Sequence, residues 1–214
     1  MRAIVLGASG LVGNELVHQL INDQRFEKVH LLSRKSLNYN SLKIENHVVD
    51  FDSINSFPFD NQIDTLFIAF GTTMAIAGSK ERQFQIDVEI PTKIMSLAKT
   101  AGVKNCVLIS SMGVSEKSMI FYSRMKAQLD ERAKQMNFDQ LIILKPSMLD
   151  GDREEKRSGE KIGITLGNLL GKTGLIENYR PIRIEKVAKC MRSVVFDLPK
   201  GTHELVSKQL QAYS

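Results

Sequence analysis

Short apolar runs alternate along the chain with longer segments in which apolar residues recur at helical spacing. The apolar runs fall at residues 3–6, 29–32, 47–49, 64–70, 106–110 and 140–144. The helical segments between them cover about 11–21, 80–100 and 120–136. Continuous Val/Ile/Leu strands separated by helices are typical of a parallel sheet with both faces covered. The pattern predicts an α/β fold with a doubly wound parallel sheet.

Beyond Pro146 this alternation breaks down. Residues 150–160 (DGDREEKRSGE) are charged and contain glycine, so they are loop-like. We expect a helix at about 161–170, a short strand near 181–183, a helix over 185–196 and a last strand at 202–206. So few residues rarely build a core of their own. The prediction is a single domain over 1–214, in which 147–214 form a small α/β appendage on the substrate side.

A glycine loop, GASGLVG, follows the first strand and precedes the first helix. Gly7 permits a tight turn, Gly10 lets the backbone approach a phosphate, and Gly13 allows close helix packing. The helix N-terminus adds free N–H groups and a positive dipole end. In this context the loop predicts a dinucleotide site, with a mere tight turn as the alternative. The residues expected to contact the cofactor are Gly7, Ser9, Gly10, Leu11, Val12 and Gly13.

The end of the second strand carries Ser33, Arg34 and Lys35, where an acid would hold the ribose hydroxyls of NAD. Arginine offers a bidentate fork to a 2′-phosphate instead. The sequence therefore favours NADP(H) over NAD(H). The alternative is that Arg34 is simply an exposed loop charge.

Tyr122 and Lys126 lie four residues apart in a predicted helix, so they share one face of it. A buried stripe of Met125, Leu129, Ala133 and Met136 lies beside them, with Ser118 as a candidate N-cap. The fifth strand ends in Ser110 and Ser111. Ligands of such sheets bind beyond the carboxyl ends of the strands, so a serine and the tyrosine could converge on one substrate oxygen.

Together these motifs resemble an atypical short-chain dehydrogenase/reductase with a Rossmann fold. They are most similar to the oxidoreductases of the human Tat-interacting protein group and their bacterial relatives. The resemblance covers nearly the whole chain. It is carried by GASGLVG, Ser33-Arg34, Val49-Asp50-Phe51, Phe70-Gly71-Thr72-Thr73, Ser110-Ser111 and Tyr122-x-x-x-Lys126.

The resemblance implies a role for each matched residue. Tyr122 would be the general acid/base, and because an unperturbed phenol titrates near about pH 10, it would need the charge of Lys126. Lys126 would also hold the nicotinamide ribose. Ser111 would hydrogen-bond the developing oxyanion, with Ser110 as the alternative. The remaining contacts implied are Asp50 and Phe51 at the adenine, Gly71, Thr72 and Thr73 at the nicotinamide, and Pro146 after the sixth strand.

Composition and charge narrow the class of protein. No stretch approaches the roughly eighteen apolar residues that a membrane span needs, and the N-terminus does not read as a cleavable signal. Two cysteines make no disulfide framework, so we expect a cytoplasmic protein. The four histidines show no metal-ligand spacing, and no metal is predicted.

Two further features suggest a nucleic-acid site or a triphosphate-binding P-loop, but neither meets the requirements of such a site. The net charge is +5, but the basic residues are dispersed and form no continuous stripe, so a nucleic-acid partner is not predicted. GNLLGKT at 167–173 has three residues between its first glycine and the Gly-Lys, where a P-loop needs four.

The function predicted is NADP-dependent hydride transfer to or from a small carbonyl or alcohol. The small C-terminal part argues against a nucleotide-sugar substrate. The rival interpretation is a redox sensor that binds NADP(H) without turnover and acts through a protein partner.

Overall fold

The apolar runs form strands and the amphipathic segments form helices in a computed structural model that describes residues 1–57, 62–150 and 181–213. The strands in these ranges are β1 Arg2–Leu6, β2 Lys28–Ser33, β3 Ile44–Val48, β4 Thr65–Ile68, β5 Asn105–Ile109, β6 Gln140–Lys145, β7 Leu149–Asp150, β8 Ile182–Arg183 and β9 Gly201–Val206. The helices are α1 Leu11–Asn22, α2 Met74–Ala77, α3 Lys80–Phe84, a π-helical segment Gln85–Glu89, α4 Ile90–Thr100, α5 Phe121–Gln135, α6 Ile184–Asp197 and α7 Ser207–Gln211.

Seven of the described strands form one sheet in the order β3-β2-β1-β4-β5-β6-β9. Every neighbouring pair is parallel. The chain starts in the middle, builds outward to β3, and then returns to β4 on the other side of β1. The predicted doubly wound Rossmann sheet is confirmed, and its switch point lies between β1 and β4, where such folds bind ligands.

Successive residues of each central strand point to opposite faces, and each face is buried. Ala3 and Val5 face a core shared with α1 and α6. Ile4 and Leu6 face a second core, shared with α4 and α5. The stripe predicted on α5 lies in this second core: Met125, Leu129 and Ala133 are buried, and Met136 packs against them.

The C-terminal residues extend the main sheet. β9 pairs along its whole length with β6, and the apolar face of α6 packs beside α1 in the first core. Arg192 of α6 lies 3.5 Å from the carboxylate of Asp23 at the end of α1. The substrate-side role of 147–214 stays a prediction. The loop expected over 150–160 (beyond Asp150), the helix expected at 161–170 and the GNLLGKT segment lie outside the described residues.

Three local expectations differ from the structure. Ser118 is not the N-cap of α5; Ile120 holds that position, and the Ser118 hydroxyl accepts the Ile120 N–H instead. β3 begins at Ile44 rather than 47, because an edge strand is only half-buried and lacks a continuous apolar run. The helix expected over 80–100 widens into the π-helical segment.

Within the described ranges, none of the helices is both long enough and apolar enough to span a bilayer.

Candidate active site

At two of the three glycines of the loop, neighbouring backbone atoms leave no room for a side chain. Gly7 has φ +96°, and a Cβ there would lie 2.4 Å from the carbonyl oxygen of Ala69. A Cβ on Gly13 would lie 2.0 Å from the carbonyl oxygen of Gly7. Since neither backbone atom can move far, both positions require glycine for folding. Because Gly7 has no side chain, the end of β1 can lie directly against Ala69, which follows β4.

Gly10 is less constrained by its neighbours than Gly7 and Gly13 are. A Cβ at Gly10 would meet, among the described residues, only the carbonyls of Gly7 at 3.3 Å and Ala69 at 3.8 Å. Gly10 is the N-cap of α1, and no side chain of the described ranges caps this helix. The first-turn N–H groups therefore lack a side-chain acceptor, which suits the pyrophosphate of a dinucleotide. Around them, Ser9 is exposed, Leu11 is half-buried and Val12 is buried.

The segment after β2 lies at the same edge of the sheet. Ser33 is buried and its hydroxyl donates to the carbonyl of Lys35. Arg34 and Lys35 are exposed, and within the described part of the chain their side chains make no ion pair. Tyr39, further along, donates to the Ala8 carbonyl at 3.1 Å and so ties this segment to the glycine loop. Two cationic side chains thus lie near the loop with their charges available to an anion.

The two residues expected at the adenine have different environments. Asp50 is exposed, and hydrogen bonds from the Ser53 hydroxyl and the Asp52 N–H lower the pKa of its carboxyl. The Phe51 ring is buried against Phe70, with ring centroids 5.4 Å apart. Asp50 can therefore meet a ligand with its side chain, while the Phe51 side chain belongs to the core.

The segment after β4 is organised by a carboxylate that sequence reasoning missed. Asp87 Oδ1 accepts the N–H of Thr72 at 2.6 Å, and a Cβ on Gly71 would lie 3.4 Å from Asp87 Oδ2. Thr73 caps the short helix α2 by accepting the N–H of Ile76 at 3.3 Å. Gly71 and the Thr72 backbone are thus positioned from the opposite helix.

Asp87 lies in the π-helical segment, and Pro91 explains why the helix widens there. Proline has no N–H to donate to the carbonyl four residues earlier, which is that of Asp87. One residue earlier, the N–H of Ile90 donates to the carbonyl of Gln85, five residues back, which is the π-helical spacing. Such π-helical turns are often found at functional sites. The Asp87 side chain is 1% exposed.

Lys126 is the central cation of the site. It is only 5% exposed, and its ammonium forms no hydrogen bond or close ion pair with any residue in the described ranges. Asp87 and Asp130 both interact with it through space. Burial raises the pKa of Asp87, and the charge of Lys126 and the Thr72 N–H oppose that rise. One helical turn before Lys126, Tyr122 is half-buried against the second core.

The two serines after β5 are distinguished by burial. Ser110 is buried and its hydroxyl lies close to the Asp130 carboxyl, without a hydrogen bond of good geometry between them. Ser111 is half-buried and more accessible. Buried Pro146 stabilises this turn, since its carbonyl accepts the N–H of Met112 at 3.0 Å. The accessible hydroxyl favours Ser111 as the residue that can meet a substrate.

Behind Lys126, alternating charges lead outward between α5 and the sheet. Asp130 is 2% exposed and lies 3.2 Å from the ammonium of Lys145. Lys145 in turn pairs with Glu204 of β9 at 2.6 Å, and Lys134 pairs with Glu204 at 2.9 Å. Burial raises the pKa of Asp130, against the effects of Ser110, Lys145 and Lys126. The site therefore adjoins a polar network that is buried at Asp130 and reaches solvent at Glu204 and Lys134.

Asp87 and Asp130 were absent from the sequence-based site, although a signal for each exists. Asp87 falls among the buried positions of an amphipathic segment, where a polar residue is an error unless it has a function. Asp130 follows Lys126 by four residues, the same spacing that separates Tyr122 from Lys126. Extending the Tyr–Lys face by one more turn would have found it.

The chain matches one protein-family model and several curated proteins. Residues 3–141 match the model of the NAD dependent epimerase/dehydratase family. The chain is 36% identical over 192 residues to Protein FMP52, mitochondrial, of Candida glabrata, covering 86% of this chain and 81% of that protein. It is 34% identical over 194 residues to the Debaryomyces hansenii protein of the same name, covering 88% and 85%.

Solved structures share the fold at low sequence identity. MoeE5 in complex with UDP-glucuronic acid and NAD has a TM-score of 0.72 and 18% identity, over 96% of this chain and 75% of that one. The human epimerase family protein SDR39U1 with NADPH has a TM-score of 0.64 and 17% identity, over 96% and 74%. At this level of identity the likeness concerns the fold.

The predicted cytoplasmic location is wrong, because the curated relatives are named as mitochondrial proteins. The prediction rested on the lack of a disulfide framework, and both cysteines are indeed free and buried. The absence of a disulfide framework therefore does not identify the compartment.

Proposed function

Because the chain belongs to the NAD dependent epimerase/dehydratase family, we propose that it is an NADP-dependent oxidoreductase acting on a small carbonyl or alcohol. The observation that carries this proposal is Lys126, a buried cation held one helical turn from Tyr122 at the sheet edge where the glycine loop opens. A cation on a largely buried side chain is costly, and two carboxylates, Asp87 and Asp130, interact with it through space and offset its charge. A site that only held a helix to a sheet would use apolar side chains.

The residues present fit a dinucleotide. The backbone of Gly10 and the uncapped N-terminus of α1 would receive the pyrophosphate. Arg34 and Lys35 would receive the 2′-phosphate of NADP, and Gly71 and Thr72 would line the nicotinamide side. When bound, the cofactor supplies or accepts the hydride.

Tyr122 would give its phenolic proton to the substrate oxygen as the carbonyl is reduced, and would take it back in the reverse direction. The Lys126 ammonium would stabilise the phenolate that remains. The Ser111 hydroxyl would donate to the same substrate oxygen as negative charge develops on it. Asp87 would act as a positioning residue, since it holds the Thr72 backbone and faces Lys126.

The proposed substrate is small. For location, the names of the curated relatives support mitochondria.

Steady-state reduction of a panel of small aldehydes, ketones and quinones by NADPH tests the proposal. Tyr122→Phe keeps the ring, so folding and NADPH affinity should stay near wild type while kcat falls about 10²–10⁴-fold. Lys126→Met should lower both kcat and NADPH affinity. Tyr213→Phe, which makes the same change on the opposite face of the sheet, is the matched control and should leave kcat unchanged.

Two outcomes would contradict the proposal. Full activity in Tyr122→Phe would mean that another group moves the proton. NADPH binding without turnover of any substrate, together with lost affinity in Lys126→Met, would favour the sensor instead.

A further inference from the structure

Two histidines and a glutamate converge on the edge of the sheet formed by β2 and β3. His30 lies directly opposite Glu45 in the parallel register, and His47 follows Glu45 by two residues on the same face of β3. The nitrogen and oxygen atoms that these three side chains offer all lie within 4.8 Å of one another. Their sequence spacing predicts no such cluster, because the pairing of two strands creates it.

We propose that His30, Glu45 and His47 form a binding site for a divalent transition-metal ion such as zinc. His30 Nδ1 lies 2.9 Å from His47 Nε2. Glu45 Oε2 lies 3.9 Å from His30 Nδ1, Glu45 Oε1 lies 3.6 Å from His47 Nε2, and one ligand atom from each of the three residues lies within 4.8 Å of the other two. One donor atom from each side chain therefore borders a common point.

The separations are close to those that a bound zinc ion requires. Zinc lies about 2.0–2.2 Å from imidazole nitrogen and carboxylate oxygen, so tetrahedral ligands are about 3.3 Å apart. The two nitrogens would have to separate by a few tenths of an ångström and the carboxylate would have to approach by a similar amount. His30 is fully buried, so the shift would fall on His47 and Glu45, whose side chains are 10% and 42% exposed.

The donor set selects the kind of ion. Imidazole suits zinc, copper, nickel and cobalt, whereas magnesium and calcium prefer oxygen ligands throughout. Three protein ligands with one partly open side leave room for a water as the fourth ligand. The exposed side of Glu45 gives the ion a route from solvent.

A simpler arrangement explains part of the cluster. A hydrogen bond between the two imidazoles offsets the cost of burying His30. That hydrogen bond does not involve Glu45, whose oxygens lie 3.6 and 3.9 Å from the two ring nitrogens. Lys28 is the opposing group: its ammonium lies 3.7 Å from Glu45 and would compete with a cation for the carboxylate.

The test is zinc titration of the full chain, freed of any polyhistidine tag and of metal by a chelator. Calorimetry should show one saturable zinc site per chain, and Co²⁺ should give the intense visible absorption of four-coordinate cobalt. Glu45→Gln and His47→Gln keep the approximate size of each side chain and should weaken binding at least about tenfold, since losing even an outer partner costs about 10–100-fold. His30 is left intact because its replacement would disturb the core.

Two further variants sharpen the result. His203→Gln is the matched control, because His203 lies on β9 at the opposite edge of the sheet. The His203→Gln protein should bind zinc with the affinity of wild type. Lys28→Met removes the competing ammonium and should tighten binding. The site is overturned if wild type shows no saturable zinc binding, if Glu45→Gln and His47→Gln both bind as wild type does, or if His203→Gln loses the ion.

Discussion

At the scale of single residues, the charge of the buried residue Lys126 is offset by two carboxylates that come from different helical segments. Asp130 follows it on the same helix, while Asp87 comes from another helix and also holds the Thr72 N–H at 2.6 Å. The Tyr122–Lys126 pair was visible in the sequence because both residues share one helical face. Asp87 is 39 residues away (126 − 87), and no local spacing could associate it with Lys126.

Cofactor choice also belongs to this scale, and it centres on Arg34. If Arg34 and Lys35 bind the 2′-phosphate, NADPH should bind at least about tenfold tighter than NADH, or about 1.4 kcal/mol. Arg34→Asp should reverse the preference, because a carboxylate repels the phosphate and accepts hydrogen bonds from ribose hydroxyls. Calorimetric titration with both dinucleotides measures this.

The control for Arg34→Asp is Lys200→Asp, which makes the same charge change just before β9, at the amino-terminal edge of the parallel sheet. Its preference should match wild type. Equal affinities of the wild-type protein for NADPH and NADH would remove Arg34 from the site.

At the scale of elements, the three glycines between β1 and α1 have different roles: Gly7 and Gly13 are needed for packing, and Gly10 is proposed to contact the ligand. A Cβ on Gly7 or Gly13 would overlap backbone atoms, whereas a Cβ on Gly10 would lie 3.3 Å from the Gly7 carbonyl oxygen, a tight contact without an overlap. The tight turn at Gly7 and the close packing at Gly13 agree with the roles predicted from the sequence, because the requirement for glycine at both is steric and local, while the phosphate contact of Gly10 stays a prediction. The contact of Gly7 with Ala69 depends on β4 and could not be foreseen.

Gly10→Ala and Gly13→Ala should therefore differ. Gly10 has φ −82° and ψ 167°, which any residue adopts, so alanine there should change the free energy of unfolding by no more than about 1 kcal/mol. Dinucleotide affinity should fall at least about tenfold, because the methyl group occupies the phosphate's approach. Gly13→Ala should destabilise the fold by about 1–3 kcal/mol through overpacking.

Urea unfolding and calorimetric titration of the two variants provide the measurements. Unchanged NADPH affinity in a folded Gly10→Ala protein would place the cofactor elsewhere. A Gly13→Ala protein as stable as wild type would show that the close helix contact is not required.

At the scale of the whole molecule, the C-terminal part strengthens the main sheet and its first core. α6 contributes buried residues beside α1, and β9 covers the edge of β6 that would otherwise be free. We therefore expect these elements to unfold together with β1–β6. A loosely attached appendage would unfold separately.

Met191→Ala tests this expectation, because Met191 is fully buried in the first core. Removing its side chain should lower the free energy of unfolding by about 2–5 kcal/mol. The urea transition should remain single by both circular dichroism and NADPH binding. The exposed residue Lys200 supplies the control, and Lys200→Ala should change stability by less than about 0.5 kcal/mol. A separate early transition in Met191→Ala would indicate an independent C-terminal unit.

The sequence by itself determined the sheet, its glycine loop and the Tyr–Lys face. Each of these depends on a period of two or 3.6 residues, or on the steric demand of one turn. Tertiary structure alone brought Asp87 to Lys126, placed β9 beside β6 and gathered His30, Glu45 and His47. These groupings join residues distant in the chain, and only the pairing of strands and the packing of helices decides which distant residues meet.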